Sequence, residues 1–235
     1  MLRDRVGAAM GAAFVVLIFV GSGMSTAGTT QSGHLTGGQV LNNVAHQHAS
    51  GSATVGFVLE ILGFVAFLLF LGWLTDGVLG RTPVGQRTAA GAAVAAGVSM
   101  LAIKLGSAAP IVALNLDRHT LTPQLAQLLN DINGAAFVIS WLPFAVFVGA
   151  LASALHGRGV VGRPTAFVGY VLGGVGVVLA LIGVRDITNA APVAFLLGTA
   201  WLLVVCVRLA VKPGNSGGMA APAPSYDANR VAVSA

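Results

Sequence analysis

Long apolar runs alternate with short polar segments along this chain, and the runs set the expected architecture. Six stretches stand out: roughly Val6–Thr26, Val55–Leu74, Thr88–Ala108, Gly134–Leu155, Ala166–Val184 and Ala191–Val211. A helix rising about 1.5 Å per residue crosses a hydrocarbon core of about 30 Å in about 20 residues, so each stretch predicts a membrane-spanning helix. The expected fold is all-α: a polytopic transmembrane helical bundle of about six spans. One membrane domain covers residues 1–212. Residues 213–235, rich in Gly, Ala, Pro and Ser, form a tail expected to be disordered and cytoplasmic.

Two polar connections are longer than a turn needs. Thr29–Ser52 contains Gly37-Gly38-Gln39-Val40-Leu41-Asn42-Asn43-Val44, which predicts a short surface helix with Val40, Leu41 and Val44 on one face. Ala109–Asn133 contains Thr122-Pro123-Gln124-Leu125. There Thr122 can cap a helix, and Pro123 suits its first turn because the missing N–H has no partner to lose. The leucines that follow predict an interfacial helix. Within the spans, Pro143 predicts a kink in the fourth. Pro192 falls in the first turn of the sixth.

The first span has two readings. It is either an uncleaved helix or the apolar part of a signal peptide cut near Ser25-Thr26-Ala27. Its length favours the uncleaved helix, and Gly7 and Gly11 form a GxxxG pair suited to close packing. A faint repeat at an offset near 80 pairs Phe57, Phe64 and Phe67 with Phe137, Phe144 and Phe147. Parallel repeats of this kind occur in transporters, although low-complexity apolar sequence also produces such matches.

Composition agrees with the membrane reading. Hydrophobic residues make up 56% of the chain and charged residues 8%, far below the quarter or so usual in soluble domains. The basic residues are few and placed singly at helix ends. Arg3, Arg5, Arg81, Arg87, Arg158, Arg163, Arg208, Lys212 and Arg230 fall on one side of the expected spans. Only Arg118 and Arg185 fall on the other, and Lys104 lies within a span. Cytoplasmic loops carry the excess of Lys and Arg, so both termini are expected in the cytoplasm of a bacterial inner membrane. With no basic patch or stripe, the net charge of +5 does not imply nucleic acid. Membrane lipids are the implied partners, and a membrane-protein partner or a second copy stays open.

Candidate chemistry is sparse. Glu60 and Lys104 are ionisable groups inside spans, where each costs about 2.5–3.5 kcal/mol unless it faces a partner or cavity. Both lie a few residues below the outer ends of adjacent antiparallel spans. They are expected to form an ion pair or a proton or substrate site. An outer group follows: Asn115, Asp117, Arg118, His119, Asp131, Asn133, Arg185, Asp186 and Asn189. It either lines a vestibule or serves as ordinary interfacial capping, with Asp131 placed to cap the fourth helix.

His46 and His48, with His34 upstream, could hold a metal if the segment were extended, since alternate residues then share a face. Integral haem needs facing histidines inside spans, and neither these nor His119 and His156 supply them. No cofactor is therefore expected. Cys206, the one cysteine, lies in an apolar run and reads as packing. There is no HExxH, GxSxG or Walker-type GxxxxGK[ST] pattern.

Several stretches carry a resemblance. Leu129-Asn130-Asp131-Ile132-Asn133-Gly134, Trp141-Leu142-Pro143, Gly162-Arg163-Pro164 and Gly169-Tyr170-Val171-Leu172-Gly173-Gly174 are similar to an uncharacterised family of small bacterial integral membrane proteins, a domain of unknown function. Arg5-Val6-Gly7 and an outer helix over Val40–His48 fit the same likeness. The resemblance implies a six- or seven-helix bundle and brings no activity. Glu60 and Lys104 match no signature of that family.

Three functional readings follow. The first is a non-enzymatic accessory, sensory or envelope component. The second is a small proton-coupled transporter using Glu60 and Lys104. The third is a lipid-modifying enzyme using Asp117, His119 and Asp131.

Overall fold

The computed structural model of the chain describes residues 2–29, 35–78, 87–117, 119–157, 159–185 and 190–211. Among these the helices are α1 (Leu2–Ser25), α2 (Gly37–Ala49), α3 (Gly51–Trp73), α4 (Arg87–Leu116), α5 (Pro123–Ile139), α6 (Trp141–Gly157), α7 (Arg163–Arg185) and α8 (Ala190–Val211). A single π turn, Leu74–Val78, continues α3. The described residues contain no strand. Six segments are long and apolar enough to cross a membrane: α1, α3, α4, α5 and α6 in series, α7, and α8. The chain is a multi-pass helical membrane protein. With an even number of passes, α1 begins and α8 ends on the same side, here called the terminal side.

The spans form a ring. α1 packs along α3 and α8, α7 joins α8 to α6, and α6 packs along α4. α4 and α3 touch sparsely, mainly where a Cβ on Gly97 would lie 2.6 Å from the Leu71 side chain. Rings fill the centre. Phe14, Phe67, Phe70 and Phe147 are all at most 2% exposed. Phe67 packs tilted against Phe14, with ring centroids 4.4 Å apart, and lies edge-on at 5.5 Å to Phe147. α1 is built into this core through Phe14 and Val15, so a cut near Ser25 would remove a core helix.

Lipid tails are as apolar as leucine, so close backbone packing rather than water must hold such helices together. Glycine supplies the closeness. A Cβ on Gly56 would lie 2.5 Å from the Gly21 carbonyl oxygen, and one on Gly173 would lie 2.8 Å from the Gly149 Cα. The Gly7–Gly11 pair meets two partners, Trp73 at Gly7 and Phe70 with Cys206 at Gly11.

Two spans outgrow the bilayer. α4 has 30 residues, about 45 Å of helix, against about 30 Å of hydrocarbon. The α5–α6 segment has 35 residues, about 52 Å. Their surplus ends join α2 in a cap opposite the terminal side. Val40 and Val44 of α2 bury themselves there against Leu114 of α4 and Ala126 of α5, with Leu41 half-buried beside them.

The expected α2 helix is present, and Thr36 and Gln39 close a reciprocal capping box at its start. Thr122 caps α5 by accepting from the Leu125 N–H at 3.3 Å, with Pro123 in the first turn. One expectation needs correcting. The helix after Pro123 is not a separate interfacial element, because it runs without a stop to Ile139. Asp131 therefore lies inside α5, exposed, and caps nothing.

The Pro143 kink appears as the break between α5 and α6. A proline cannot donate to the carbonyl four residues back, here that of Ile139. The Ser140 hydroxyl donates to the Phe137 carbonyl at 2.6 Å at the same point. The two halves of the suggested repeat are unlike in packing. α6 and α7 lie close together along Gly149 and Gly173, whereas α3 and α4 barely meet.

Candidate functional site

Among the described residues, Glu60 and Lys104 are charged side chains placed well inside the spans. Glu60 is seven residues from Phe67 along α3, and Lys104 is seven from Gly97 along α4, each toward the cap. At about 1.5 Å per residue both stand about 10 Å above the central ring layer, because a Cβ on Gly97 would contact Phe147 of that layer. They share a level but do not form the expected ion pair. Each is drawn to a different neighbour.

Glu60 belongs to the α1–α3 seam. Gly56, Glu60 and Gly63 follow each other at helical spacing on the face of α3 that meets α1. Gly21 of α1 lies directly against Glu60, so that a Cβ there would be 2.8 Å from the Glu60 Cγ. One turn further along α1, the Ser25 hydroxyl donates to Glu60 Oε1 at 2.8 Å. The Gln47 side chain of α2 donates to the Ser25 carbonyl at 3.0 Å, which ties the cap to this seam.

Lys104 belongs to the buried stripe of α4 that runs Gly97, Met100, Leu101, Lys104, Ser107. It is 9% exposed. Its ammonium sits 3.0 Å from the centroid of the Phe137 ring and 5.7 Å from that of Phe195. An aromatic face attracts a cation electrostatically, by about 2 kcal/mol or more when water is excluded. No described carboxylate reaches the ammonium. The Phe137 ring that holds Lys104 lies at the α5–α6 break. Trp141, the first residue of α6, packs on it edge-on at 5.3 Å.

The remaining candidates are scattered. Asp117 and His119 lie in the turn after α4, and both are exposed. Asp131 is exposed and Asn133 half-buried, both within α5. Asn115 donates to its own helix, to the Ile111 carbonyl at 2.9 Å. Arg185 ends α7 rather than following it, and its side chain, like Arg118, Asp186, Asn189 and His34, lies outside the described residues. The vestibule therefore has no assembled set of groups among the described residues.

His46 and His48 are both on α2, where a two-residue separation turns them to different sides of the helix. His46 rests against Gly28, whose φ is +76°. No three His, Cys, Asp or Glu side chains come together as a metal-holding group among the described residues.

Two features gave little sequence signal. One is the π turn at Leu74–Val78. The other is a groove between α6, α7 and α8, lined by Trp141, Phe144, Leu172, Gly176, Phe195 and Gly198 among others. The fold defines the class as a multi-pass helical membrane protein with a small helical cap. No family model, curated protein or solved structure matches the chain.

Proposed function

We propose that the protein is a non-enzymatic component of a bacterial cytoplasmic membrane, in an accessory, sensory or envelope role, with both termini inside and the cap outside. The observation that carries this reading is the ring of phenylalanines at the bundle centre. Phe14, Phe67, Phe70 and Phe147 occupy the axis that a substrate path through the ring would use. The orientation rests on the sequence pattern, in which nine basic residues flank the ends of the spans expected on one side and two those on the other. The likeness to an uncharacterised family belongs to the same reading and brings no activity with it.

A proton-coupled transporter is the second reading. It is favoured by Glu60, a carboxylate inside a span whose hydrogen-bond partner among the described residues is Ser25, at the level of Lys104. The lipid-modifying enzyme has less support, because Asp117 and His119 sit in one turn while Asp131 lies two turns into α5.

Proton flux into liposomes separates the first two readings. The plugged bundle predicts no flux from wild type, Glu60→Gln or Lys104→Met. Flux in wild type that both variants abolish would replace it with the transporter. Orientation is read with a cysteine at exposed Ala45 of α2, since Cys206 is buried and is the only native thiol. A membrane-impermeant maleimide should label Ala45→Cys in intact cells. Labelling only after lysis would reverse the assignment.

A further inference from the structure

Lys104 is almost fully buried among rings, with no hydrogen-bond acceptor in reach among the described residues. A lysine inside a membrane segment ordinarily faces an anion or water. Beside it, Trp141 has a buried indole N–H with no acceptor among the described residues. Trp141 and Phe195 also line the groove between α6, α7 and α8, a shallow open-sided depression of about 10 Å³ with otherwise apolar walls. Phe195 links the two features. Its ring is 5.7 Å from the Lys104 ammonium and 4.9 Å from the ring of Phe144 inside the groove.

We propose that this wall binds one anionic phospholipid of the cap-side leaflet. Its phosphate approaches Lys104, and one acyl chain lies along the outside of the groove, against Trp141 and Phe195. Depth favours a lipid over a soluble anion. Taking the central ring layer as the middle of a core of about 15 Å half-thickness puts Lys104 about 5 Å below the cap-side headgroups, a distance that a lipid phosphate and the lysine stem span together. The groove opens between spans, where acyl chains are the available apolar occupant. An ester oxygen at the glycerol level would give the Trp141 N–H the acceptor it lacks. This inference does not depend on the accessory or transporter reading.

Native mass spectrometry of the purified full chain tests it. The protein is equilibrated with equal parts phosphatidylglycerol and phosphatidylcholine. A charge-assisted contact predicts roughly tenfold preferential retention of phosphatidylglycerol, one per chain. Lys104→Met should remove the preference, and Lys104→Arg should keep it. Ala194→Phe, which fills the groove from α8, should lower retention of both lipids. Equal retention of the two lipids by wild type, or full preference in Lys104→Met, overturns the proposal. If Lys104→Met does not fold, Ala194→Phe and Lys104→Arg decide, and undiminished retention in Ala194→Phe overturns it. A thermal shift produced as well by inorganic phosphate as by phosphatidylglycerol also overturns it, in favour of a soluble-anion site.

Discussion

In the membrane bundle, Gly21 and Gly56 bring the backbones of α1 and α3 into contact, and phenylalanine rings fill what the glycines leave. In the cap, Val40 and Val44 of α2 close over Leu114 and Ala126, and hydroxyl side chains stop the helix ends. The bundle has no water to expel between its helices, so it relies on fit. The cap has water, and a small cluster around Val40, Val44, Leu114 and Ala126 suffices to seal it when Thr36 and Thr122 each satisfy a free N–H at a helix start. Damage to fit should therefore be global in the bundle and local in the cap.

The largest expected effect comes from Gly56→Leu. A side chain there meets the Gly21 carbonyl and the Ser25 backbone, neither of which can move alone. The cost should be about 3 kcal/mol or more, seen as a loss of folded protein in detergent with α1 released to protease. If Gly56→Leu folds with wild-type stability, the backbone contact is not what holds the bundle.

Val44→Ala should cost about 2 kcal/mol, from two lost methylene equivalents and a residual void. The loss should be confined to the cap. Hydrogen exchange should speed up over α2 and the first turns of α5 while α3, α6 and α8 keep their protection. A uniform loss across all spans would mean that cap and bundle unfold as one unit.

Thr36→Ala has the smallest effect, about 1 kcal/mol for a lost N-cap. Faster exchange at Gln39 and its neighbours would report it, with no change at Thr122. Equal fraying of both cap helices would show that α2 and α5 form cooperatively.

Much of this division can be read from the sequence, and Glu60 and Lys104 show where reading stops. Hydropathy locates all six spans, and Thr36, Thr122 and Pro123 announce the helix starts by side-chain chemistry. Counting residues also puts Glu60 and Lys104 at one level. It does not say which way each faces, since that depends on which helix becomes a neighbour. The partner of α3 along its length is α1, so Glu60 turns to Gly21 and Ser25. The partners of α4 are α5 and α6, so Lys104 turns to Phe137. The Gly56–Glu60–Gly63 spacing on α3 was the available hint that this face meets another backbone. The full length of α5 is not legible because Asn130, Asp131 and Asn133 separate the interfacial helix from the apolar run that follows. The thermodynamics of a capped helix start at Thr122 carry it straight into the span.

Three tryptophans sit in this structure, and among the described residues only one finds an acceptor for its ring nitrogen. The Trp201 indole donates to the Thr165 carbonyl at 2.9 Å, while those of Trp73 and Trp141 are buried without an acceptor. An excited indole loses energy to polar groups that can reorient around it or bond its N–H. Two of the three rings are denied that relaxation, so the intrinsic emission of the folded chain should be blue. An occupant that supplied an oxygen to Trp141 would shift part of that emission to the red, giving the rim of the bundle a native optical reporter.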